Sequence, residues 1–152
     1  MRPLLWLVFL GGLCLLSTAC NSSAPEPASA DFPSAKLRLT IVRTATDLFL
    51  QRFNLVLKVQ GLNGCSSSTD LFPDTGYAGR RNIYLAGKGL IYVVGQFDAR
   101  VIDPQDCRAI LSEFRHLDRQ VVFLGSFDQN TDKRWVYFPA AERPELPFEK
   151  RQ

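Results

Sequence analysis

Chemistry in a chain with one histidine must pass through His116 or do without an imidazole. His116 follows Glu113 in a Glu-x-x-His step, which in paired copies supplies ligands to a metal-binding bundle. Only one copy is present, and no second histidine can complete a site, so the step reads as solvated surface and no metal is assigned. A second candidate is Asp128-Gln129-Asn130-Thr131-Asp132, whose alternating oxygens match the first half of a calcium loop. Lys133 stands where the loop glycine belongs and Pro139 where a bidentate Glu should close it. A hairpin turn accounts for the same Asp and Asn residues. Gly87-Lys88-Gly89 is not a phosphate loop, because Asn82 and Gly89 occupy the positions that need Gly and Ser/Thr. No catalytic residue and no cofactor is expected from these motifs.

Aromatic and basic residues form the remaining constellation. Tyr84, Tyr92, Trp135 and Tyr137 fall in strand-like segments, with Arg80, Arg81 and Lys88 close in sequence and Tyr77 in the preceding loop. On an exposed face such rings could stack on sugars, so Tyr77, Arg80, Arg81, Tyr84, Trp135 and Tyr137 are the candidate binding residues. Tyr and Trp also suit the half-buried face of a sheet, and the sequence leaves the choice of face open. Nucleic acid is not an expected partner: without Arg2, which belongs to the N-terminal segment discussed below, 17 basic residues face 15 acidic ones, for a net charge of +2.

The elements that must position these residues are mostly strands. "KLRLTIV" alternates Leu37, Leu39 and Ile41 with polar neighbours, and "FNLVLKVQ" alternates Phe53, Leu55, Leu57 and Val59. Residues 47–53 read as strand, although Asp47 could cap a short helix. Residues 61–82 hold four glycines, three consecutive serines and a proline, and read as a long irregular loop of the kind that often carries function. "NIYLAGKGLIYVVG" reads as a hairpin turning at residues 87–89. One helix is expected near 104–117: Asp103 can cap it, Pro104 suits its first turn, and Cys107, Ile110, Leu111, Phe114 and Leu117 share one face. "QVVFLGSF" is apolar on both faces and reads as a central strand covered by that helix. "DQNTDK" then turns and "RWVYF" returns.

With 46% apolar and 11% aromatic residues, the chain can fill the core of one domain. The expected class is α+β: a mainly antiparallel sheet or small barrel with one packed α-helix, over residues 37–139. Its element order resembles the oligonucleotide/oligosaccharide-binding barrel, without a diagnostic motif. Residues 140–152, rich in proline and charge, read as an irregular tail.

The first 20 residues have the parts of an export signal: Arg2, an apolar run from Leu4 to Leu16 that is short for a membrane span, and small residues at 17–19. Leu16-Ser17-Thr18-Ala19-Cys20 resembles the lipobox of bacterial lipoproteins, with Ser17 where that family prefers an aliphatic residue. The resemblance implies removal of residues 1–19, acylation of Cys20, and, with Asn21 next, delivery to an outer membrane where the host has one. Residues 20–36, dominated by Ser, Ala and Pro, then read as a flexible tether. With Cys14 removed and Cys20 acylated, Cys65 and Cys107 remain, and an oxidising compartment favours a disulfide between them. The expected function is that of a lipid-anchored, non-catalytic envelope protein that binds a protein partner through the 61–82 loop. The alternative is a small-ligand or glycan-binding domain using the aromatic strand face.

Overall fold

The computed structural model describes residues 24–47, 49–76, 79–113 and 120–148. They form two antiparallel sheets. The first has the order β1-β2-β3-β4, with β1 at Glu26–Phe32, β2 at Leu37–Asp47, β3 at Arg52–Gly61 and β4 at Ser66–Asp74. The second has the order β10-β9-β5-β6-β7-β8, with β5 at Arg81–Leu85, β6 at Ile91–Val94, β7 at Ala99–Ile102, β8 at Ala109–Ser112, β9 at Val122–Gln129 and β10 at Trp135–Pro139.

Period-two alternation selects the buried faces. Leu37, Leu39 and Ile41 of β2 meet Leu55, Leu57 and Val59 of β3, and both sets share one core with Ile83, Ile91, Val93, Ile102 and Phe127 of the second sheet. Strand β1 lies beside β10, and β4 approaches β8, so the two sheets meet along both sides.

Three expectations are corrected. First, the class is nearly all β, with no packed helix among the described residues. Asp103 does cap a turn, accepting the Gln105 N–H at 2.8 Å, and the Cys107 N–H donates to the Asp103 carbonyl. Cys107 then adopts a left-handed φ of 61°, which ends the turn, and residues 109–112 pair with β7. Cys107 is buried, but Ile110 and Leu111 are exposed, so the expected apolar stripe does not face one core. Phe114, His116 and Leu117 lie outside the described residues. With ten strands in two sheets and no helix to close a barrel among the described residues, the oligonucleotide/oligosaccharide-binding resemblance falls with it.

Second, residues 20–36 are not a flexible tether along their whole length. Strand β1 pairs with β2 along its whole length, burying Ala28, Ala30 and Phe32 while Ser29 and Asp31 face out to Thr40 and Arg38. Third, the 61–82 loop is interrupted by β4, leaving a short turn at residues 62–65 and a second connection from residue 75 to β5. Residues 49–51 form the β2–β3 turn. The connection at Gly87–Gly89 is a 3-10 turn joining β5 and β6, as the hairpin reading required.

The strand register gives the molecule two ends. At one lie Glu26, the β2–β3 turn, Asp74, Arg81 and the β9–β10 turn. At the other lie the β1–β2 and β3–β4 turns, the β5–β6 turn, and the disulfide between Cys65 and Cys107.

Candidate functional site

The first end holds most of the candidate binding residues that are described, and its folding contacts already engage them. Arg80 and Trp135 border a cleft of about 390 Å³ together with Asp74, Gln96, Asp128 and Phe148. Trp135 is only 4% exposed, and its indole N–H donates to the Ile41 carbonyl at 3.1 Å, tying β10 to β2 across the sheet junction. Buried Arg43 lies 4.1 Å above the Phe53 ring and pairs with Glu26 at 2.9 Å. Arg80 donates to the carbonyls of Leu146 and Pro147 and lies over the Phe148 ring at 4.7 Å, which holds the C-terminal segment in place.

Arg81 sits deepest, at 1% exposure. It donates to the Phe72 carbonyl and to the carbonyls of Gly79 and Arg80, and lies 3.5 Å from Asp98. Asp98 in turn accepts the Phe72 N–H at 2.9 Å. The pair thus satisfies both backbone groups of Phe72 on the outer edge of β4, where a further strand would otherwise pair. Arg100 extends the seal by donating to the Asp70 carbonyl. Burial pushes the Arg81 guanidinium below its ordinary value, and the carboxylates of Asp98 and Asp74 oppose that shift. Gly95 makes room for the pair, since a Cβ there would fall 2.7 Å from the Arg81 Cζ.

Tyr84 and Tyr137 go elsewhere. Tyr84 is on the outer face of the second sheet, donating to Glu145 at 2.7 Å and accepting from Asn82. Tyr137 packs against Phe127 and Phe32 and donates to the Leu124 carbonyl at 2.8 Å. Burial is the main cause raising each phenol to about 12, helped at Tyr84 by Glu145. Tyr77 and Cys20 lie outside the described residues. In the 128–132 segment, Asn130 Oδ1 accepts from the N–H groups of Asp132 and Arg134, and Asp128 pairs with Arg143 at 3.0 Å. Those oxygens shape a turn and hold the chain after β10.

The opposite end offers a surface that includes the start of the 61–82 segment expected to contact a partner and the turn at Lys88. A cleft of about 330 Å³ opens between the β1–β2 turn, the β3–β4 turn, the β5–β6 turn and the Pro104–Gln105 segment. Its charged residues are Lys36 and Lys88, both exposed and both held at left-handed φ, 56° and 63°. Leu62 stands at its rim, 84% exposed. The frame beneath is stiff. The disulfide joins the β3–β4 turn to the segment before β8, Asn63 donates to the Gln105 carbonyl at 2.9 Å, and the Leu62 N–H donates to the Lys36 carbonyl. Gly61 is required here, because a Cβ would lie 2.6 Å from the Cys65 sulfur and 2.9 Å from that of Cys107. Both lysines sit at turns that the sequence marks only by short range-specific backbone demands, so nothing in the linear spacing brings Lys36, Leu62 and Lys88 together.

Among the described residues, no group of three or more His, Cys, Asp or Glu side chains gathers as for a metal ion, and no helix is long and apolar enough to cross a membrane. No family model, curated protein or solved structure matches this chain.

Proposed function

We propose that this chain is a lipid-anchored envelope protein, held at a membrane through Cys20, that binds a partner protein with the end farthest from the anchor. The anchor rests on the lipobox-like segment at residues 16–20. The observation that carries the binding reading is the pairing of exposed Leu62 with Lys36 and Lys88 around one disulfide-braced cleft. A cleft with two cations and an apolar rim suits an acidic segment that also carries an apolar side chain.

The glycan alternative loses its aromatic platform, because Trp135 is turned into the core and Tyr137 is packed between Phe32 and Phe127. Protein binding is the reading retained. The test is site-specific photocrosslinking in the native host, with the reactive group at residue 62 of the full chain and, as a control, at exposed Ser29. A discrete adduct at residue 62 that disappears in the Lys36→Glu/Lys88→Glu form supports the proposal. Adducts that are equal at residues 62 and 29, or unaffected by the charge reversal, overturn it.

A further inference from the structure

The end near the anchor carries a feature that the partner-binding reading does not use. At the tip of the β2–β3 hairpin, Phe49 is 99% exposed and Leu50 is 55% exposed. The turn is preset: Asp47 Oδ1 accepts the N–H groups of both residues, each at 3.0 Å, and Gln51 takes a left-handed φ of 50°. Two apolar side chains therefore project from a turn whose leading N–H groups are already satisfied, a condition that matters where water is scarce. Arg52, Lys133 and Arg134 are exposed at the same end, interrupted by Asp132.

The length of chain preceding the first strand limits how far Cys20 can lie from this tip. Glu26 pairs with Arg43, and β2 continues to Asp47, so the hairpin extends four residues, or about 14 Å, past the start of β1. The six steps from Cys20 to Glu26 reach at most about 20 Å. A lipid on Cys20 is thus confined to a distance from β1 comparable with the projection of the tip.

We infer that Phe49 and Leu50 insert into the surface of the bilayer that anchors Cys20, as a second contact that fixes the orientation of the domain. The inference rests on the anchoring reading. Apolar side chains flanked by cations are the chemistry of an interfacial membrane contact, and a second weak contact beside an acyl anchor adds orientation at little cost. Insertion at this end directs the Lys36–Leu62–Lys88 cleft away from the membrane.

The test uses the full chain purified from bacterial membranes and reconstituted in vesicles of phosphatidylethanolamine and phosphatidylglycerol. Phe49→Trp places an indole at the tip, and buried Trp135, the tryptophan left once processing removes Trp6, supplies the background in the parent protein; Leu50→Trp is the second variant. The expected result is a blue-shifted tip emission that brominated lipid quenches and that vesicles shield from iodide. An anchored protein whose introduced indole is quenched by iodide equally with and without vesicles overturns the insertion while leaving the anchor intact. A chain without acyl mass that does not float with vesicles overturns the anchor, and this inference with it.

Discussion

Arg81 and Asp98 act on β4 as a neighbouring strand would, one donating to the Phe72 carbonyl and the other accepting its N–H. Removing Asp98 leaves the buried guanidinium with Asp74 as the remaining carboxylate near it and frees the Phe72 N–H. Asp98→Ala is therefore expected to cost roughly 3 kcal/mol in denaturant unfolding, with Asp74 still facing the guanidinium. Loss of under 0.5 kcal/mol, roughly the effect of a surface change, would show that the seam does not depend on the pair. The phenols make a prediction in pH. Tyr84 and Tyr137 have folded values near 12 against an ordinary 10, so the native state holds its protons longer than the unfolded chain. Their stabilisation is complete below pH 10 and is lost as pH rises from 10 towards 12. Alkaline unfolding monitored by circular dichroism should follow that window, and Tyr84→Phe should flatten it. An unchanged profile in Tyr84→Phe would remove Tyr84 from the account.

At the scale of elements, the disulfide offers the cleanest test. It closes a separation of 42 residues, for which chain-entropy arguments give about 4 kcal/mol. Reduction should lower the unfolding midpoint by a corresponding amount and loosen the cleft at Leu62; an unchanged midpoint would mean the turns alone hold that end. The pair is legible as the two cysteines that remain once the expected signal takes Cys14 and the expected anchor takes Cys20, and β2 and β3 are legible from their period-two apolar pattern. Strand β1 is not, because Ala28 and Ala30 are too small to stand out in a Ser/Ala/Pro-rich segment, although with Phe32 they keep the same period of two. The helix expected near 104–117 fails for the opposite reason. Its cap and first turn exist, but pairing with β7 satisfies the backbone of residues 109–112 and overrides the local helical signal. The candidate binding residues showed aromatic and basic character correctly and burial not at all, since facing depends on register across sheets that the linear pattern does not specify.

For the whole molecule, the proposed partner cleft and the proposed membrane contact lie at opposite ends. Strand β2 spans 11 residues, so the braced cleft stands about 35 Å from the hairpin tip, the separation that the proposal needs between partner and lipid surface. Everything in that arrangement depends on Cys20. Intact mass of the protein extracted from the membranes of its host, beside a Cys20→Ala form, tests it most directly. The account requires a mature chain that begins at Cys20 and carries acyl mass, with the Cys20→Ala form lacking it. A chain that begins elsewhere, or that carries an unmodified Cys20, would contradict the anchored orientation on which both proposed surfaces depend.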